Sequence, residues 1–238
     1  MLSTPQNSPD SVALRARLAA LRRRIEAAAA AAGRDATDVT LLAVSKGHSA
    51  HSVLQAMELG LTQFGESYID EALPKIAALA RQTRPPAWHF IGRPQANKTR
   101  AIATHFDWVH GIDRLRIAER LSAQRGHYQP PLQVCVQVNV AGEGTKAGVA
   151  PEQCLPLLAQ VAALPRLTLR GLMCMLPYEA TAATQASGFA ALRGLRDRAR
   201  TAGFELDTLS MGMSADLEAA VEHGSTLLRI GTALFGSR

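Results

Sequence analysis

The 238-residue chain is 47% hydrophobic and 19% charged, which allows a sizeable core and excludes wholesale disorder. Its net charge of +6 and isoelectric point near 9.7 raise nucleic acid as a partner, but aromatics at 5% are too few for an obvious base-stacking platform, so no specific nucleic-acid site is expected. Cys135, Cys154 and Cys174 are widely spaced and form no CxxC pair, which excludes a disulfide framework and offers no zinc signature.

That cysteine usage fits a reduced, cytoplasmic compartment. The polar segment Met1–Asp10 lacks the apolar stretch of a secretory signal and is expected to be a flexible N-terminus. No apolar run reaches membrane-spanning length, so no membrane partner is expected.

The first predicted element is a helix over Val12–Ala32, stopped by Gly33. Leu14, Leu18, Leu21 and Ile25 form its apolar stripe, and Arg15, Arg17, Arg22, Arg23 and Arg24 read as a solvated face. Strand and helix signals then alternate. Strand Thr40–Ser45 precedes helix Ser49–Leu59, and strand Leu61–Phe64 precedes helix Tyr68–Arg81. Strand Ala87–Ile91 leads to helix Ala96–Thr104, and strand Asp107–His110 to helix Asp113–Arg125. Strand Leu132–Asn139 is followed by helix Pro151–Ala163, and strand Leu169–Cys174 by helix Ala183–Ala202, which carries Arg193, Arg196, Arg198 and Arg200. Strand Asp207–Ser210, helix Ala215–His223 and strand Thr226–Ile230 complete the set.

Strands alternating with helices imply βαβ units and a parallel sheet, and eight such units can close into a (β/α)8 TIM barrel. An open doubly wound sheet is the competitor. The GxGxxG turn that would favour it is absent after the first strand, where Ser45-Lys46-Gly47-His48 stands. No composition break separates a second domain, so residues 11–238 read as one barrel.

A barrel of this kind works at the C-terminal ends of its strands. Lys46 follows strand one, Glu66 and Ser67 strand two, and Asn139 ends strand five. Met173 and Met175 lie at the end of strand six, Ser210 to Ser214 after strand seven, and Gly231 and Thr232 after strand eight. Lys46 is either a surface lysine or an amine in an apolar mouth, where a lowered pKa would make it nucleophilic toward an aldehyde. Ser214 reads as an N-cap, and a helix start with free N–H groups suits an anion. Gly231 permits close backbone approach and Thr232 adds a hydroxyl. Arg229 alternates with Leu228 and Ile230, so it either faces the interior or pairs with a carboxylate such as Glu66. Closure makes strand one the neighbour of strand eight, which sets Lys46 beside this phosphate site and Arg229 near the ring nitrogen of a phosphorylated aldehyde.

At these residues the chain resembles the pyridoxal phosphate homeostasis protein family. The resemblance rests on Leu42-Ala43-Val44-Ser45-Lys46, Phe64-Gly65-Glu66-Ser67-Tyr68, Trp88-His89-Phe90-Ile91-Gly92, Gln95-Ala96-Asn97-Lys98, Val138-Asn139, Lys146-Ala147-Gly148, Arg170-Gly171-Leu172-Met173, Leu209 to Ser214 and Arg229 to Gly236. It implies a barrel like the N-terminal domain of alanine racemase. It implies pyridoxal 5′-phosphate (PLP) held by Lys46 as a Schiff base, with Ser214, Gly231 and Thr232 on the phosphate and Arg229 facing the pyridine nitrogen. Ser210, Met211 and Asn139 are further family positions in the mouth. The chain departs from the family at Ser67, where Asn is usual, at Arg93, which adds a charge near the mouth, and in the Gly-rich loop Ala141–Thr145.

An arginine at the ring nitrogen disfavours ring protonation and makes a poorer electron sink, which counts against transaminase-like chemistry, although racemases tolerate the arrangement. A racemase also needs a second base, which alanine racemases take as a tyrosine from a partner's extra domain. This chain has only Tyr68, Tyr128 and Tyr178. The resemblance therefore implies a protein that buffers PLP and hands it to apo-enzymes without a defined turnover; with no second domain to dimerise through, a monomer is expected. No catalytic residue and no metal ligand is assigned. The alternatives are a small fold-type III amino-acid racemase and a phosphosugar-binding barrel or aldolase. His89 reads as a hydrogen-bonded interior residue or a proton shuttle, Asn97 and Lys98 as a second anion contact or a solvated helix start, Lys146 as a secondary amine or a surface lysine, and Met57, Met173 and Met175 as core filling.

Overall fold

The strands are rich in Leu and Val, the pattern of a sheet covered by helices, and they also bury polar side chains such as His89, His110, Ser210 and Arg229. A computed structural model describes residues 9–142, 147–177 and 179–236. Eight parallel strands run in chain order: β1 (Thr40–Val44), β2 (Gln63–Glu66), β3 (Ala87–Phe90), β4 (Trp108–Ile112), β5 (Leu132–Gln137), β6 (Leu167–Met173), β7 (Thr208–Ser210) and β8 (Leu227–Ile230). They close into one barrel. At the seam β1 lies against β8, with Leu42 opposite Arg229 and Ala43 opposite Ile230. The β6–β7 approach depends on Gly171, because a Cβ there would lie 1.8 Å from the Thr208 carbonyl oxygen.

Helices α1 (Pro9–Ala31), α2 (Ala50–Glu58), α3 (Ile69–Leu79), α4 (Thr99–His105), α5 (Leu115–Gln124), α6 (Cys154–Ala162), α7 (Ala182–Thr201), α8 (Leu217–Glu222) and α9 (Thr232–Phe235) accompany the strands. The main apolar cluster includes Val53, Ile102, Ile117, Leu158 and Leu192 from five of these helices and Phe64, Val109 and Val134 from the strands. Each fully buried side chain of this kind contributes about 1.5–3 kcal/mol.

The sequence places every strand and long helix, with shifted ends. Helix α1 starts at Pro9 rather than Val12, and the segment before β1 holds a 3₁₀ turn, Ala36–Asp38, capped by Asp35 accepting from Thr37 N–H at 2.8 Å. The helix expected to start at Ala215 starts at Leu217 with Asp216 at its N-cap, so Ser214 is not the cap. The four-residue helix α9 carries no periodicity that a sequence pattern registers.

Helix α1 packs on α8 and α9. Leu14, Leu18, Leu21 and Ile25 are buried as a stripe. Gly33, at φ +64°, ends the helix, and the Arg34 amide donates back to the Ala29 carbonyl at 2.9 Å. The Arg34 guanidinium then donates to the carbonyls of Val221 (2.7 Å) and Ser225 (2.8 Å), tying α1 to the end of α8. Among the described residues no helix is long and apolar enough to cross a membrane, and no group of His, Cys, Asp and Glu is arranged to hold a metal ion. The three cysteines are free and buried.

Candidate functional site

The βα connections at the C-terminal ends of the strands surround a cleft of about 870 Å³. Lys46, Ser214, Arg229, Gly231 and Thr232 all line it, so the amine after β1 and the loops after β7 and β8 meet as the closed seam requires. His48, Ser67 and Asp216 add to the wall. Met175 belongs to this wall at 45% exposure and is not core filling, whereas Met173 is fully buried and Met57 packs against the core.

The Lys46 loop is held from behind. Lys75 of α3 is buried and donates to the Ser45 carbonyl (2.8 Å), Glu66 Oε1 (2.8 Å) and Glu71 Oε1 (2.6 Å). Ser45 Oγ donates to the same Glu66 oxygen at 2.6 Å, and the Gly47 amide donates to Glu71 Oε1. Burial pushes the Glu66 carboxyl up, and the hydrogen bonds from Lys75 and Ser45 oppose that shift. Lys75 and Glu71 are sequence positions that carried no motif. The signal for Lys75 is its place on the buried stripe Ala72, Lys75, Leu79 of α3, where a lysine needs partners.

Arg229 is 4% exposed. Its Nη1 donates to Ser210 O (2.6 Å) and Ser210 Oγ (2.9 Å), and its Nη2 donates to the Cys174 carbonyl (2.8 Å). Its acceptors are therefore oxygens of β7 and of the residue after β6 rather than Glu66, which is taken by Lys75. Burial lowers the Arg229 pKa, and an arginine starts far enough above neutrality to stay charged. Ser210 Oγ also meets His110 Nδ1 at 2.8 Å, and His110 Nε2 meets His89 Nδ1 at 2.9 Å. Strands β4 and β7 are not neighbours in the sheet, so this chain crosses the barrel interior. His89 is thus a hydrogen-bonded interior residue, stacked on Trp108 at 5.1 Å. Burial pushes its pKa down to about 3. Burial, with His89 and Arg229 nearby, also holds His110 well below the usual histidine value.

The anion side is built from two loops. Ser214 Oγ accepts from the Ala233 amide at 3.3 Å, linking the turn after β7 to the start of α9. The Met213 amide donates to Asp216 Oδ1 at 2.6 Å. Gly212 has φ +95°, and a Cβ on it would lie 2.5 Å from Ala220 Cβ and 2.7 Å from Leu228 Cδ2. Arg24 of α1 donates to the Ser214 carbonyl at 3.2 Å while pairing with Glu218 through Nε (2.7 Å) and Nη2 (2.9 Å). Arg17 donates to the Phe235 carbonyl at 3.2 Å. The basic face of α1 is therefore only partly solvated.

Other predicted positions fall elsewhere. Met211 is fully buried in the core and Ser210 sits beneath the cleft on Arg229. Asn139 follows β5 at the same end of the barrel, its amide donating to the Val149 carbonyl at 2.9 Å. Lys98 pairs with Asp70 at 2.9 Å, and Asn97 is not among the cleft residues. Arg93 pairs with Asp113 at 3.3 Å. Tyr68 is 62% exposed, and Tyr128 is fully exposed. Tyr178 and Lys146 lie outside the described residues.

Residues 16–238 match the family model described as alanine racemase, N-terminal domain. The chain is 55% identical over 222 residues to the pyridoxal phosphate homeostasis protein of Pseudomonas aeruginosa, covering 93% of this chain and 94% of that one. The chain belongs to the pyridoxal phosphate homeostasis protein family. Among solved structures of similar proteins, PipY of Synechococcus elongatus with PLP bound superposes with a TM-score of 0.82 at 35% identity, covering 94% of this chain and all of that one. Alanine racemase of Clostridium difficile shares the fold, with a TM-score of 0.74 at 15% identity over 94% of this chain and 56% of that one. The seam that unites Lys46 with the β7 and β8 loops is thus part of a homeostasis-family barrel.

Proposed function

We propose that this chain binds pyridoxal 5′-phosphate and serves PLP homeostasis in the cytoplasm. It would hold the cofactor as a Schiff base on Lys46 and buffer it or deliver it to apo-enzymes, without a defined catalytic turnover. The observation that carries this reading is the meeting of one amine, one buried guanidinium and one hydroxyl-bearing pair of loops in a single cleft. PLP has three matching poles: an aldehyde, a pyridine nitrogen and a phosphate. Lys46 answers the first and Arg229 the second; Ser214, Gly231 and Thr232 answer the third, with Arg24 steadying the Ser214 turn. Asn139 extends the mouth after β5, Ser210 acts through Arg229, and Met211 supports the β7 loop from the core. The PLP seen in PipY, a relative of like fold, supports the same ligand here.

When bound, PLP supplies an electrophilic aldehyde and an electron-withdrawing ring. A fixed cation opposite the ring nitrogen disfavours its protonation and weakens that withdrawal, which counts against transaminase-like turnover. We further take residues 11–238 as one PLP-binding barrel acting as a monomer, with no specific nucleic-acid or membrane partner. One closed eight-stranded sheet supports that division.

The test is the visible spectrum of purified wild type and Lys46→Ala, before and after borohydride reduction, with mass mapping of the labelled lysine. Wild type should carry one PLP on Lys46 and the variant none. A label on another lysine overturns the assignment. Sustained exchange of an amino acid's α-hydrogen with deuterated solvent would replace the carrier reading with the racemase.

A further inference from the structure

The two peptide groups that flank Lys46 are gripped by one buried ion cluster. On one side the Ser45 carbonyl accepts from Lys75 Nζ at 2.8 Å, and Ser45 Oγ donates to Glu66 Oε1 at 2.6 Å. On the other, the Gly47 amide donates to Glu71 Oε1. Lys75 joins both halves, since its ammonium also donates to Glu66 Oε1 and Glu71 Oε1. Those three bonds use all three ammonium hydrogens. Lys75 and Glu66 have side chains only 7% and 0% exposed, so the charges are scarcely screened by water. Gly47 has φ +78°, a conformation that a glycine adopts easily and leaves easily unless it is tied. Apolar side chains in place of the whole cluster would fill the same space with less desolvation cost, so packing alone does not account for it.

We propose that Lys75 is a positioning residue for Lys46: through Glu66 and Glu71 it clamps residues 45–47 and directs the Lys46 amine at an aldehyde in the cleft. This rests on the reading of Lys46 as the residue that carries PLP. The step served is condensation. The neutral amine attacks the aldehyde carbon, a C=N bond replaces C=O, and the carbonyl oxygen leaves as water with the two amine hydrogens. Lys75 takes no part in that exchange, because its three hydrogens are committed to Ser45, Glu66 and Glu71. What it supplies is a fixed starting point for the Lys46 side chain, and misplacement by about 1 Å can cost on the order of a hundredfold in rate.

The test compares two ligands in wild type, Lys75→Met and Glu71→Ala. PLP capture is followed by stopped-flow absorbance. Pyridoxine 5′-phosphate, which carries an alcohol in place of the aldehyde, reports binding without condensation and is titrated by fluorescence. Lys75→Met should slow capture about tenfold or more while pyridoxine 5′-phosphate binds within about twofold of wild type. Glu71→Ala, at a site only partly buried, should slow capture by a smaller factor and keeps the test open if Lys75→Met fails to fold. Unchanged capture in the folded variants overturns the proposal, as does an equal loss of capture and analogue binding, which marks a merely structural role. Absence of a Lys46 adduct in wild type instead overturns the PLP assignment beneath it.

Discussion

His110 Nδ1 lies 2.8 Å from Ser210 Oγ, and that hydroxyl accepts from Arg229 Nη1 at 2.9 Å. An arginine only donates, so Ser210 Oγ accepts from Arg229, and the His110 and His89 rings extend the contact as one interior chain from β8 to β3. It ends at His89 Nε2, which is buried and has no hydrogen-bond partner among the described residues.

This chain makes stability depend on pH. Both histidines have folded pKa values depressed by burial, His89 to about 3, against about 6.5 in an unfolded chain. Between those values the unfolded state binds more protons, so their contribution is fully present above about pH 6.5 and is lost as pH falls. Each histidine contributes a slope of at most about 1.4 kcal/mol per pH unit in that window. Urea unfolding at pH 7.0, 6.0 and 5.5 should show falling stability, and His89→Gln should remove roughly half of the slope.

Arg229→Gln should destabilise the fold as well as the site. It removes charge-assisted donors from the buried carbonyls of Ser210 and Cys174. Leaving the Cys174 acceptor unsatisfied costs about 1–3 kcal/mol, whereas the Ser210 carbonyl keeps the Cys174 amide at 3.3 Å. Urea denaturation of the ligand-free variant measures this apart from any loss of PLP.

Arg24→Ala should cost about 0.5–1 kcal/mol, because its pair with Glu218 is partly exposed and screened. Its larger effect should fall on phosphate affinity, since it also holds the Ser214 carbonyl. Pyridoxine 5′-phosphate should bind a few-fold more weakly to Arg24→Ala and unchanged to Arg23→Ala, whose side chain faces solvent.

Gly212→Ala combines a left-handed backbone with contacts of 2.5 and 2.7 Å for the added methyl. We expect a loss of about 2–4 kcal/mol in thermal or urea unfolding, from backbone strain and overpacking together. A variant as stable as wild type would show that the β7 loop has room to yield.

Much of the site was legible because barrel topology converts chain order into neighbourhood. Strands one and eight must touch once eight βα units close, so Lys46 and Gly231 could be placed together without any contact in view. The residues behind the site were less legible. Lys75 reaches Ser45 across 30 positions and His110 reaches Ser210 across 100, and neither belongs to a local pattern. Ser214 illustrates the opposite error: its place before a helix suggested a cap, yet its hydroxyl accepts from Ala233 in the connection after β8.

The order of amino acids settles the alternation of strand and helix, the apolar stripe of α1 and the set of reactive side chains, because these depend on periodicity and chemistry within short stretches. Tertiary packing alone chooses which oxygens Arg229 holds, which carboxylates Lys75 joins and which arginines of α1 leave the solvent. Those choices follow from side-chain reach and desolvation across the closed barrel, where a buried charge takes whichever partner the neighbouring strand or helix brings within about 3 Å.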